Sequence, residues 1–137
     1  MSDGSCRVLC VEDNADTCEL IEAWLRYGDG TFSMETTDNA QEAIDRIRSE
    51  EFDLIVLDSW LPNGSGIDLC REVRKFNADI PIMFFSGDAR PDAIRDGMAA
   101  GANLYLTKPV TGDEFMAAVN KLTGYECALR TSEKATA

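Results

Sequence analysis

Glu12, Asp13 and Asp58, together with Ser86 and Lys108, are the residues of this 137-residue chain whose types and placement could do chemistry together. Each closes a short apolar run. Val8–Val11 lead into Glu12-Asp13, and Leu54–Leu57 lead into Asp58. Ile82–Phe85 lead into Ser86, and Leu104–Leu106 lead into Thr107-Lys108-Pro109. Three carboxylates gathered in one place resist joint ionisation unless a cation intervenes. One divalent ion plus the Lys108 ammonium would cancel them. The donors are hard oxygens with no imidazole or sulfur among them. That set favours Mg²⁺ (or Mn²⁺) that keeps several waters and completes its shell with phosphate.

Composition removes other chemistries. The chain has no histidine. This excludes Ser-His-Asp and Cys-His catalysis, imidazole zinc sites, and a phosphohistidine on this chain. With 13 Lys+Arg against 25 Asp+Glu, the net charge is −12. A general basic surface for nucleic acid is absent, and an anionic membrane would repel the chain. Five cysteines, Cys6, Cys10, Cys18, Cys70 and Cys127, form no CxxC pair. They read as packing thiols of a reduced, cytoplasmic protein. Residues 1–5 carry no apolar leader, and no apolar run approaches a membrane span.

Two patterns alternate along the chain, and they must position the five residues. Short apolar runs read as strands over 7–11, 31–36, 53–58, 82–86 and 104–107. Amphipathic stretches between and after them read as helices over about 15–27, from Asn39 onward, after Gly66, over about 91–100 and over about 113–123. Gly28-Asp29-Gly30 breaks the first helix, Asn39 with Glu42 starts the second, and Gly101 ends the fourth. The second strand alternates and belongs at an edge. This (βα)5 order implies a parallel sheet with helices on both faces. In such sheets ligands bind beyond the carboxyl ends of the strands. With strand order 2-1-3-4-5, the ends carrying Glu12-Asp13, Asp58, Ser86 and Lys108 are consecutive neighbours about 4.8 Å apart. The expected organisation is a flexible stretch over 1–5, one domain over 6–124 and a short polar tail over 125–137.

Val11-Glu12-Asp13-Asn14, the stretch from Asp58 through Pro62 to Gly66, Ser86, and Leu106-Thr107-Lys108-Pro109 resemble the receiver domain of two-component response regulators. The resemblance covers about residues 6–123 and implies a flavodoxin-like, doubly wound three-layer α/β sandwich. It implies that Asp58 is the phosphoacceptor for a sensor histidine kinase or a histidine phosphotransfer protein. It implies Mg²⁺ held by Asp13, Asp58 and the backbone carbonyl of Trp60, with Glu12 acting through a metal-bound water. Lys108 would pair with the acceptor carboxylate and then with a phosphoryl oxygen, and Ser86 would bond another. Ser86 and Tyr105 would be the switch residues, and Pro109 would follow a cis peptide bond. The resemblance further implies a self-phosphorylating, slowly autodephosphorylating switch of stand-alone type rather than a turnover enzyme. Its downstream partner is an unnamed protein, met through the fourth helix, fifth strand and fifth helix. Direct contact with nucleic acid or membrane is not implied, and a homodimer through the same face is compatible with it.

Taken singly, each signal has a plainer reading. Glu12-Asp13 can be turn residues capping the first helix, and Ser86-Gly87-Asp88 can be a turn. Lys108-Pro109 can be a loop, and Tyr105 a sheet aromatic. Only the joint arrangement carries the chemistry. The chain also departs from the family pattern. Trp60 is large for the mouth of the site, Ser86 stands where threonine is frequent, Gly87 loosens the following loop, and Asp88 brings a further negative charge. Trp60 and Asp88 are therefore expected to tune the lifetime of the phosphorylated state. The main alternative is a receiver-like interaction module that is never phosphorylated. A nucleotide or flavin enzyme is disfavoured, because the acidic Glu12-Asp13-Asn14-Ala15 is the opposite of a phosphate-cradling loop.

Overall fold

The computed structural model describes residues 6–27 and 32–124. The elements are β1 (Cys6–Val11), α1 (Ala15–Tyr27), β2 (Phe32–Thr37), α2 (Ala40–Ser49), β3 (Leu54–Leu57), β4 (Trp60–Leu61), β5 (Gly64–Ser65), α3 (Gly66–Phe76), β6 (Ile82–Ser86), α4 (Pro91–Ala99), β7 (Leu104–Thr107) and α5 (Gly112–Val119). A π-helical turn, Asn120–Gly124, continues α5. Five strands form one parallel sheet of order β2-β1-β3-β6-β7. This is the 2-1-3-4-5 order of the sequence reading, renumbered because a small hairpin intervenes. The fold is the flavodoxin-like doubly wound sandwich. The expectations for residues 1–5, for the Gly28-Asp29-Gly30 break and for the 125–137 tail lie outside the described residues.

The pleat of β1 explains the three layers. Successive side chains point to opposite faces, so Leu9 and Val11 join one core while Val8 and Cys10 join the other. The first core packs α2 and α3 through Ala43, Ile47, Leu69 and Val73. The second packs α1 and α5 through Ile21, Leu25, Phe115 and Val119. A strand buried on both faces cannot alternate polar with apolar, which is why β1, β3 and β6 read as continuous apolar runs. Full burial of a side chain such as Phe115 or Leu9 contributes about 1.5–3 kcal/mol each.

The helix ends follow local chemistry. Asn39 caps α2 by accepting from the Glu42 amide, as its spacing predicts. Thr111 and Glu114 form a reciprocal capping box at α5. Gly101 follows α4 with φ +119°, a conformation L side chains rarely adopt. The stretch after Asp58, expected as a loop, contains an antiparallel two-residue pairing of Trp60 with Ser65 and Leu61 with Gly64. Pairing this short has no periodicity to read. Cys10, Cys18 and Cys70 carry free thiols. Cys6 is disulfide-bonded, which departs from the expected set of reduced packing thiols. Among the described residues no helix is long and apolar enough to cross a membrane.

Candidate functional site

The carboxyl ends of β2, β1 and β3 are tied side by side by backbone hydrogen bonds. The Glu12 amide donates to the Thr37 carbonyl at 3.0 Å, and the Asp58 amide donates to the Val11 carbonyl at 3.0 Å. Sheet register therefore places Glu12-Asp13 next to Asp58. One carboxylate oxygen from each of Glu12, Asp13 and Asp58 lies within 4.8 Å of the others. Glu12 is buried, Asp58 half-buried and Asp13 exposed. Asn14 frees the acidic pair from helix capping: its side chain accepts the Thr17 amide at 2.8 Å, the capping role that Glu12-Asp13 would otherwise fill.

Position 66 fixes the Asp58 backbone from below. A Cβ there would overlap the Asp58 carbonyl oxygen and press on Phe84 at 3.2 Å, so only glycine lets α3 start against the end of β3. The Gly66 amide donates to the Ser59 carbonyl at 2.9 Å. The phosphoacceptor candidate thus sits on a strand end clamped between β1 and α3.

Lys108 supplies the cation. Its amide donates to the Ser86 carbonyl at 2.8 Å, which sets β7 against β6. Its ammonium lies 3.4 Å from Glu12 Oε1 and 5.2 Å from the centre of the Phe85 ring. The expected pairing with the acceptor carboxylate is thus replaced here by a pairing with Glu12. Burial accounts for it: Glu12 is the most desolvated of the three carboxylates, so it gains most from a counter-charge. Even so, burial first and the Asp58 charge second push the Glu12 carboxyl above its ordinary range, against the opposing pull of the Asn14 amide and Lys108. The charge of the site is therefore not balanced by its own residues. The Lys108–Pro109 peptide bond is cis.

Ser86 is buried, and its hydroxyl accepts the Asp88 amide at 3.0 Å. Tyr105 is half-buried and stacks on Phe84 at 5.3 Å between ring centres. Its hydroxyl donates to the Asp88 carbonyl at 2.7 Å and shares a hydrogen bond with the Ser59 hydroxyl at 3.0 Å. Tyr105 therefore spans from the end of β3 to the loop after β6. Trp60 is 60% exposed, and its indole donates to Asp88 Oδ2 at 3.1 Å. Asp88 does not add a free negative charge to the mouth as expected. Arg90 folds back onto it with bonds of 2.8 and 2.7 Å and holds its carboxyl far below the usual carboxylate range. The same bonds tether the loop that Gly87 was expected to loosen. Sequence reasoning missed Ser59 and Arg90. The place of Ser59 directly after Asp58 was a usable signal, whereas nothing in the sequence marks Arg90.

The five predicted residues thus meet at one end of the sheet, with Trp60 and Tyr105 at its rim. The donor set fits a hard divalent cation: three clustered carboxylates, a charge surplus, and no sulfur or nitrogen ligand. A family model described as response regulator receiver domain matches residues 8–120. The cell cycle transcriptional regulator CtrA of Caulobacter vibrioides is 40% identical over 114 residues, 83% of this chain and 48% of that protein. The chain therefore spans about half the length of the curated relatives it matches. A two-component response regulator from Clostridium difficile superposes with a TM-score of 0.79 at 26% identity, covering 86% of this chain and 95% of that one. A CheY-like receiver domain from Methanospirillum hungatei superposes with a TM-score of 0.79 at 22% identity, covering 94% and 98%. At that identity the likeness concerns the fold alone.

Proposed function

The chain belongs to the response regulator receiver domain family, and from that premise we propose that it accepts a phosphoryl group onto Asp58 in the presence of Mg²⁺. The donor is a phosphohistidine on a sensor histidine kinase or phosphotransfer protein, and the setting is the cytoplasm. The observation that carries this reading is the cluster of Glu12, Asp13 and Asp58 within 4.8 Å, faced by the Lys108 ammonium alone as its paired cation among the described residues.

Glu12, Asp13 and Asp58 would hold the metal, with the Trp60 carbonyl as a further oxygen ligand. Bound Mg²⁺ supplies charge neutralisation for the incoming phosphoryl oxygens. Asp58 attacks phosphorus in line with the imidazole nitrogen. A P–O bond forms, the P–N bond breaks, and the imidazole leaves with the electron pair. Lys108 moves from Glu12 to a phosphoryl oxygen, which its flexible stem and point charge permit. The Ser86 hydroxyl donates its proton in a hydrogen bond to another phosphoryl oxygen. Reaching that oxygen reorients the hydroxyl that now accepts the Asp88 amide. Asp88 also receives the Tyr105 and Trp60 bonds, so the loop after β6 gains a differential contact between the two states. The output is a change in protein contacts on the face formed by α4, β7 and α5, the same face through which a homodimer would form. Hydrolysis of the acyl phosphate resets the switch, which makes the protein a slow self-dephosphorylating device.

Intact mass after incubation with Mg²⁺ and acetyl phosphate tests the reading. The expected result is a gain of one phosphoryl group that Asp58→Asn abolishes. A gain that survives in Asp58→Asn, or no gain in folded wild-type protein, overturns it.

A further inference from the structure

Tyr105 stands in a slot built from three directions. Its ring stacks on Phe84, with 5.3 Å between ring centres and 25° between planes. Position 97 of α4 is glycine, and a Cβ there would come within 3.0 Å of Tyr105 Cδ2 and 3.2 Å of Phe84 Cε2. The ring therefore fills space that a side chain on α4 would need. At its tip, the Tyr105 hydroxyl meets the Ser59 hydroxyl at 3.0 Å and the Asp88 carbonyl at 2.7 Å. The direction of this chain is fixed, because a carbonyl only accepts. The phenol proton goes to Asp88, so Ser59 must donate to the phenol oxygen. Ser59 directly follows Asp58, is 1% exposed, and has its carbonyl held by the Gly66 amide at 2.9 Å. Among the described residues its hydroxyl has no other partner.

We propose that Ser59 is a positioning residue that keeps Tyr105 in this slot before any phosphoryl group arrives, so that Tyr105 is a fixed strut and the loop after β6 is the part that moves. The reason is an asymmetry. If the ring swung out, the Ser59 proton would be left buried without an acceptor, which is the costly way to lose a hydrogen bond. The gap between Phe84 and Gly97 would also lose its packing contacts. Both effects oppose release whether or not Asp58 carries a phosphoryl group. The loop is held more loosely. Beyond the Tyr105 bond, Asp88 is tied by its amide to Ser86 and by its carboxylate to Trp60 and Arg90, whose side chains are largely exposed. Bonds to such exposed groups contribute little.

The consequence follows from where the strut ends. In the function proposed above, the Ser86 hydroxyl turns towards a phosphoryl oxygen and the Asp88 amide loses its acceptor. The Asp88 carbonyl stays anchored on Tyr105, which Ser59 holds from the end of β3. Rearrangement is then confined to the loop between Ser86 and Arg90, and the ring keeps one position against α4 in both states. A partner on the face of α4, β7 and α5 therefore reads the loop, not the tyrosine. This second half rests on the phosphoacceptor reading, whereas the anchoring of Tyr105 in the free protein does not.

NMR of the full chain tests it. Three-bond couplings of the Tyr105 side chain, with contacts from its ring protons to the Gly97 α-protons, report whether the ring is in its slot. The expected result for wild type is a single rotamer in contact with Gly97, unchanged by Mg²⁺ with beryllofluoride. Ser59→Ala should raise the ratio of out-of-slot to in-slot rotamers in free protein by roughly tenfold. A double-mutant cycle adds a readout that a merely space-filling Ser59 would not move. In urea, Ser59→Ala should raise the unfolding constant roughly fivefold in wild type, and not at all in Tyr105→Phe, where the acceptor is already gone. Averaged couplings in free wild type, a ring that changes rotamer with the two reagents, an unchanged ratio in Ser59→Ala, or equal effects in the two backgrounds would each overturn the proposal. If the Asp58 and Ser86 amides ignore both reagents, the phosphoacceptor reading fails, and the free-protein couplings and the cycle still decide the role of Ser59.

Discussion

Two clusters of charge on the same sheet are built in opposite ways. Beside the start of β1, Arg7 and Arg46 face Glu35 and Glu50 in a closed network of two cations and two anions. Arg7 and Arg46 also lie over the Phe52 ring, at 4.5 and 5.6 Å from its centre. The Arg7 amide donates to Asp53 Oδ2 at 2.7 Å, and the Asp53 amide donates back to the Arg7 carbonyl at 2.7 Å. At the other end of β1, three carboxylates meet the single ammonium of Lys108. The first cluster satisfies itself and holds the edge strand and α2 together. The second is left short of positive charge, which costs stability, and under the proposed function a divalent cation makes up the difference. What separates a structural acid from a functional one in this molecule is the presence of its counter-charge.

Neutralising one acid in each cluster breaks the comparison most directly. At the mouth, Glu12→Gln is expected to stabilise the metal-free protein at neutral pH, because the site disfavours the charged form. The sign follows from linkage. The folded-state value of Glu12 is raised above its ordinary 4.5, so its own contribution grows less favourable as pH rises from 4.5 through the raised folded value. Thermal melts with and without Mg²⁺ check this. Wild type should gain more from Mg²⁺ than the variant, and a variant less stable than wild type without metal would contradict the account.

The rim sharpens the comparison, since there a charge has been returned to balance. Asp88 is paired with Arg90 and bonded by Trp60, closing one side of the site. Removing that bond in Trp60→Asn or Asp88→Ala should speed loss of the phosphoryl group by about threefold, the equivalent of one modest hydrogen bond. Dephosphorylation followed by intact mass reads it, and unchanged rates in both variants would remove any role for this latch.

The smallest effect belongs to the balanced network. Arg46 and Arg7 hold the Glu50 carboxyl down to about 2. Its stabilising contribution is present above its ordinary 4.5 and is lost as pH falls through about 2. Glu50→Gln should therefore lower the melting temperature slightly at pH 6, with the difference from wild type vanishing near pH 2. A difference that grows with acid would reverse the assignment.

Much of this was legible in the sequence because burial on both faces leaves a mark. The runs Val8–Val11, Leu54–Leu57 and Ile82–Phe85 betray buried parallel strands, and the polar residue that closes each run falls at the functional edge by the geometry of the fold. Asn39, Gly101 and the edge character of β2 were readable for similar local reasons. What escaped was set by side chains folding back over distances that no periodicity encodes. Arg90 takes up Asp88, and Lys108 chooses Glu12. The hairpin of Trp60 and Ser65 escaped because two paired residues show no alternation. The disulfide of Cys6 escaped because an odd count of scattered cysteines gives no framework.

The central claim is that the unbalanced mouth is completed by a divalent cation and a phosphoryl group together. Titration of folded protein with beryllofluoride, a phosphoryl mimic, in the presence of Mg²⁺ tests it through the amide resonances of Glu12, Asp58, Ser86 and Lys108. The account predicts saturable shifts of all four that require both reagents and disappear in Asp58→Asn. Resonances that stay fixed in wild type, while its fold is intact, would contradict it.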